Sequence, residues 1–194
     1  QAQLRYWQAV FGDLQWSQTF PTDVDKGIEV RASKLSTNHE LSIEEALFEQ
    51  VDIYCRERSI TLYTFFMAAF QLVLAHYAKQ TDIVVVSPKA ERDLPELSNS
   101  IGLYLNLLPV HSKVSPALSL SDYVTQVADN MVSAQANLDV QMEAVLETLN
   151  CDVTLPISDV NFQYYNFAEE TPWKLNHLHS EPVMFVEGEI EYEN

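Results

Sequence analysis

The sequence predicts an α/β fold, a layered sheet with covering helices. Two observations carry that expectation. A strongly apolar helical stretch, 61–79, runs directly into the β-branched run Asp82-Ile83-Val84-Val85-Val86-Ser87. Beyond it, segments of helical period alternate with segments of period two, and such mingled elements pack as layers. Size and composition agree: 194 residues, 47% apolar and 20% charged, suit a single domain with a real core rather than two ordinary ones.

Each element has its own reason. Residues 1–13 read as a short helix with Leu4, Trp7, Val10 and Phe11 on one side and Gly12 as its stop. Pro21, Gly27 and scattered acids make 14–30 an extended connector, with a short strand at 30–34. Residues 42–58 form an amphipathic helix. Ser42 and Glu45 have capping-box spacing, and Ile43, Leu47, Val51 and Tyr54 form its apolar stripe. Thr61 caps the next helix, which is apolar on every side and therefore expected in the core. The strand at 82–87 should be covered on both faces, and Pro88 should end it.

A second strand is expected at 101–111. Its period of two sets Ile101, Leu103, Leu105 and Leu107 against the core, and Tyr104, Asn106 and Leu108 on the other face. Ser119 with Asp122 opens a helix whose stripe is Leu120, Val124, Val127 and Met131. A short helix covers 141–149. A strand at 158–166 carries Asp159, Asn161 and Gln163 on one face and Val160, Phe162 and Tyr164 on the other. A last strand, 187–193, alternates acids around Ile190 and Tyr192.

Charge excludes several functions. Eleven Lys plus Arg against 28 Asp plus Glu leave a formal charge of −17. Tracking a phosphate backbone needs clustered cations, so no nucleic-acid partner is expected. An anionic membrane surface is disfavoured for the same reason. The stretch 62–78 is short for a membrane span and contains Thr64, Gln71 and His76. Residues 1–7 have no apolar core of a signal peptide. Cys55 and Cys151 have no CxxC or His-paired spacing, which fits reduced thiols in a cytoplasmic protein.

Motif chemistry is sparse. His177, His179 and Glu181 are close in sequence, but zinc needs further ligands at ordered spacing, so no metal is expected. With four glycines and no GxSxG, GxxxxGK[ST] or GxGxxG, neither a nucleophile elbow nor a phosphate cradle is present. Glu44-Glu45 and Glu169-Glu170 read as a helix start and a loop rather than a catalytic pair. Asn106 stands out between Leu105 and Leu107. It either satisfies a neighbouring backbone group or aims an amide into a cleft at a carbonyl or developing oxyanion.

Taken together, five segments in order resemble the condensation domains of nonribosomal peptide synthetases. LRYWQAVFGDL with FPTD is similar to the start of the second half of those domains. SITLYTFFMAAFQLVLAHYAKQTDIVVVSP resembles their apolar helix and strand. ERDLPELSNSIGLYLNLLPV places Arg92, Gly102 and Asn106 on the family's motif. NLDVQMEAVLETL matches in part through Asn137, Asp139 and Glu143, with Gln141 and Met142 where the family has Pro and Phe. GEIEYEN resembles the family's G-x-[IL]-E-Y strand. Two departures stand out. The signature HHxxxDG does not occur in this sequence, and 167–187 is shorter than the family's crossover segment.

The resemblance implies that 1–194 is one lobe, like the C-terminal half of a condensation domain, with a chloramphenicol acetyltransferase-like fold. Such a lobe walls one side of the channel in which an amide forms between carrier-bound acyl groups. Asn106 would be its catalytic candidate, and Tyr104, Asn106, Asn161 and Gln163 would line the substrate channel. No tightly bound cofactor is implied; a carrier's phosphopantetheine arm would tether the substrate. The implied partners are the N-terminal lobe and peptidyl carrier proteins. Two alternatives are a non-catalytic module that binds a carrier or tailoring protein, and a standalone acyltransferase of the same fold using coenzyme A.

Overall fold

A computed structural model describes residues 1–12, 14, 38–90, 95–97, 100–149 and 160–165. The expected connector from residue 15 on, the strands at 30–34 and 187–193, Cys151, Arg92, Glu169-Glu170 and His177/His179/Glu181 lie outside these. The backbone divides into two compact units, one of 1–21 with 46–163 and one of 22–45 with 164–194. The first unit holds the sheet and the core.

Helix α1 (Ala2–Phe11) buries Trp7 and Phe11, as its spacing predicts. The two rings stack with centroids 5.2 Å apart. Helix α2 (Glu45–Glu57) starts three residues later than expected. Its predicted stripe is only partly buried: Ile43 and Leu47 are about half exposed, whereas Tyr54 meets Phe65 edge-on and Cys55 is buried. The reason is that α2 touches the next helix through its C-terminal half. Ser59, in the left-handed region at φ 55°, turns the chain between them.

Helix α3 (Leu62–Ala78) is capped by Thr61, whose hydroxyl oxygen accepts the Thr64 N–H at 3.1 Å. It is not buried all round. Met67, Ala68, Gln71 and Ala75 line its core side, while Val73 and Tyr77 are exposed. Apolar composition alone overstated its burial; packing against a sheet covers one side of a helix. Strand β1 (Asp82–Ala90) follows and continues through Pro88 rather than stopping there.

Strand β2 (Leu105–Lys113) pairs antiparallel with β1, Val85 opposite Val110 and Lys89 opposite Asn106. Here the expected phase is reversed. Ile101 and Leu103 are fully or nearly fully exposed, Leu105 and Leu107 are about half exposed, and Leu108, Val110 and Ser112 are buried. The run has Leu at both parities, so alternation cannot choose a face. Polar bonds from the helices identify it. Gln71 of α3 donates through Nε2 to the Val110 carbonyl at 2.9 Å. The Ser112 hydroxyl donates to Gln71 Oε1 at 2.9 Å.

Helix α4 (Leu120–Gln135) is capped by Ser119, which accepts the Asp122 N–H at 3.2 Å. Val124, Val127 and Met131 are buried as expected, joined by Tyr123 and Ala134; Leu120 is exposed. Tyr123 reaches Ser112 with a 2.8 Å hydroxyl contact, so α4 covers the same face of β2 as α3. Helix α5 (Met142–Thr148) packs on α1. Finally, 160–163 lies parallel to β1 on the edge opposite β2, through a bridge between Val86 and Asn161. Among the described residues the first unit is an α/β layer in which β1 lies between β2 and 160–163, with both its faces buried: Ile83, Val85 and Ser87 on the side of α3, Val84 and Val86 on the other.

Candidate functional site

The expected site residues fall into two pairs rather than one constellation. Tyr104 and Asn106 stand at the start of β2. Asn161 and Gln163 lie beyond the other edge of β1. Asn106 shares its parity with Leu108, Val110 and Ser112, and so belongs to the helix-covered face. This corrects the expectation that it faces away from the helices into a cleft. Phe162 packs at 5.6 Å from Tyr63 and 5.7 Å from Phe70, both on α3, so alternation turns Asn161 and Gln163 to the opposite side. Both are exposed.

Asn106 is engaged by its own fold. Its Nδ2 donates to the Leu138 carbonyl at 3.0 Å, and its Oδ1 accepts the Leu107 N–H at 2.9 Å. The Leu138 carbonyl belongs to the turn between α4 and α5, which two residues of α1 also grip. Trp7 Nε1 donates to the Asn137 carbonyl at 2.8 Å, and Gln3 donates to Asp139 at 2.8 Å. Three side chains from two elements, β2 and α1, thus converge on three successive residues of one turn. Sequence reasoning offered backbone satisfaction as one reading of Asn106, but the partner, 32 positions away, had no local signal.

Tyr104 is half-buried, and its ring lies against Gly102. A Cβ on Gly102 would come within 2.9 Å of the Tyr104 ring, so a side chain there would push the ring away.

On the other pair's side, two backbone bonds hold 160–163 to β1. Val86 N–H donates to Val160 at 3.0 Å, and Phe162 N–H donates to Val86 at 2.9 Å. Two hydroxyls missed by sequence reasoning add to them. Tyr63 donates to Ser87 Oγ, and Ser87 donates to the Phe162 carbonyl at 2.8 Å. Burial pushes the Tyr63 phenol above its ordinary value of 10.0, with the bond to Ser87 opposing. Burial raises Tyr123 likewise, against its bond to Ser112.

Other chemistry is thin among the described residues. No group of three metal-ligating side chains occurs there. Cys55 is buried, and burial followed by the Asp52 charge raises its thiol pKa, which disfavours the reactive thiolate. No single helix there is long and apolar enough to cross a membrane. What the arrangement offers is a sheet edge with two exposed amide side chains, Asn161 and Gln163, on the side opposite α3.

Comparison with known proteins places this arrangement. The family model for the Condensation domain matches residues 1–193. A linear gramicidin synthase of Brevibacillus parabrevis is 29% identical over 169 residues, which cover 85% of this chain and 2% of that protein. Gramicidin S synthase 2 of Brevibacillus brevis is 26% identical over 189 residues, 95% of this chain and 4% of that protein. The chain therefore spans only a few per cent of the length of these relatives. Among solved structures, a four-domain nonribosomal peptide synthetase bound to AMP and glycine superposes with a TM-score of 0.71 at 16% identity, covering 86% of this chain and 13% of that one. The X-domain from teicoplanin biosynthesis gives 0.68 at 18% identity, covering 82% of this chain and 36% of its own. The family match along nearly the whole length, in the fold those structures share, means that this chain belongs to the condensation domain family.

Proposed function

We propose that the chain is one lobe of a nonribosomal peptide synthetase condensation-type domain and forms one wall of the channel where amides are made between carrier-bound acyl groups. The observation that carries this reading is the extent of the match. Residues 1–193 fit the family, yet the chain accounts for 36% of the X-domain crystal chain and 30% of the first condensation domain of the CDA synthetase. A piece of that size needs its other lobe to enclose a channel.

In this reading Asn161 and Gln163 contact substrate from the exposed side of the sheet. Asn106 serves as a positioning residue, fixing β2 to the α4–α5 turn, with Tyr104 beside it at the mouth. The general base, the histidine of HHxxxDG by family resemblance, comes from the other lobe, where it would hold the amine proton during attack on the thioester. The substrate arrives on a phosphopantetheine arm, and the partners are the N-terminal lobe and carrier proteins in the cytoplasm.

The test uses the complete domain that carries this chain, with donor and acceptor carriers loaded with aminoacyl groups. Mass spectrometry should find the amide product with the complete domain and none with residues 1–194 alone. Product from this chain alone would overturn the division of labour. A second reading, a non-catalytic module that binds a tailoring protein, draws on the X-domain, which has been solved in complex with OxyB. It is favoured if the complete domain makes no amide but retains a partner protein of that kind.

A further inference from the structure

Strand β1 carries a proline at a place where a parallel ladder demands a donor. In parallel pairing, a residue opposite position j donates to j−1 and accepts from j+1, and the pattern repeats two residues on. Val86 opposite Asn161 obeys it, donating to Val160 at 3.0 Å and accepting from Phe162 at 2.9 Å. The next bond should run from the N–H of residue 88 to the Phe162 carbonyl. Residue 88 is proline and has no N–H. The preceding side chain supplies the missing donor: Ser87 Oγ donates to that same carbonyl at 2.8 Å. Tyr63, reaching down from α3, donates to Ser87 Oγ and so leaves the serine proton directed at Phe162. Ser87 is 2% exposed, so water does not replace it easily.

We propose that Tyr63 and Ser87 are positioning residues: their hydroxyls replace the ladder hydrogen bond that Pro88 cannot make, and so set where Asn161 and Gln163 stand on the channel wall. The second half of this proposal rests on the function proposed for the chain; the first does not. Alternation alone puts Asn161 and Gln163 on the outward side. Their height along β1 depends on the bonds at 160–162, one of which the serine supplies. Tyr63 also lays its ring on Phe162, so the same residue packs and hydrogen-bonds this segment.

The experiment compares Ser87→Ala, Ser87→Thr and Tyr63→Phe in the complete domain. Amide hydrogen exchange reads the segment directly. Ser87→Ala should speed exchange at Phe162 about 10-fold, as expected for one lost oriented hydrogen bond, while Ser87→Thr, which keeps the hydroxyl, stays near wild type. Tyr63→Phe should fall between them, and serves if Ser87→Ala fails to fold. With loaded carriers, Ser87→Ala should raise KM for the carrier-bound substrate about 10-fold and leave kcat within about twofold, a split that general destabilisation does not produce. Unchanged exchange at Phe162 in both Ser87→Ala and Tyr63→Phe, or no rescue by threonine, overturns the ladder replacement. Faster exchange with unchanged KM overturns the positioning role. If the wild-type domain makes no product, the functional reading falls, and exchange still decides the ladder replacement.

Discussion

Gln71 should be the most sensitive polar residue of this fold. It has no exposed surface, and it joins three elements: its Nε2 donates to Val110 of β2, and its Oε1 accepts from Ser112, which in turn touches Tyr123 of α4. Gln71→Leu keeps the volume and removes both bonds. Each neutral bond contributes about 1 kcal/mol net, and leaving the buried Val110 carbonyl without its donor costs about 1–3 kcal/mol more. Burying the leucine returns about 1 kcal/mol. The net loss is about 3 kcal/mol, or roughly 6–12 °C in Tm for a chain of this size. Circular dichroism melts and urea titrations measure it. Adding Ser112→Ala to Gln71→Leu should cost less than the sum of the two single changes, because the serine is already partly stranded. A Tm shift below about 2 °C for Gln71→Leu, or strict additivity, would refute the idea that this network fixes the register of helix on sheet.

Three further outcomes are expected. Ser119→Ala should lower stability by about 1 kcal/mol through loss of the α4 cap, read as a small shift in urea midpoint with an unchanged slope. Asn106→Ala should destabilise by about 1–2 kcal/mol, because it frees the Leu138 carbonyl; a variant of normal stability with a slowed reaction would instead restore a direct catalytic role. Alkali should unfold the protein through Tyr63 and Tyr123. Burial raises both above their ordinary value of 10.0, so the unfolded chain loses these protons first. The stability they provide is fully present below that value and is lost as pH rises above it. Circular dichroism reads the alkaline unfolding midpoint, and a midpoint that stays where it is in a Tyr63→Phe, Tyr123→Phe double variant would contradict this.

Much of the layer was legible from local chemistry. Ser119 with Asp122 marked the start of α4, Thr61 marked α3, and the β-branched run marked β1, because caps and side-chain periods act within a few residues. The phase of β2 was not legible. Leu103, Leu105 and Leu107 compete with Leu108 and Val110, and the decision comes from Gln71, far away in the chain. Pro88 misled for a similar reason. A proline ends a strand only if its missing N–H is needed and nothing replaces it, and the replacement is the side chain of Ser87. The role of Asn106 depended on its distant partner Leu138. The amides at 161 and 163 were legible as one face of a strand, whereas the hydroxyl pair that holds that strand came from two other elements.

The position of 160–163 also has a consequence for how the chain is made. As a ribosome releases it, α3, β1, β2 and their connection emerge together and can pair at once. The parallel neighbour of β1 follows about fifty residues later, a delay of roughly 2–10 s at ordinary elongation rates. During that time β1 presents a bare edge that could recruit a strand from another nascent chain. Pro88 lies on that edge with no N–H to offer, so an intruding strand gains one bond fewer and meets the proline ring. The native segment escapes this handicap because Ser87 and Tyr63 bond its carbonyl. In a synthetase built from several related domains on one ribosome-bound chain, such a proline would favour pairing with the correct strand over pairing with a neighbouring domain's.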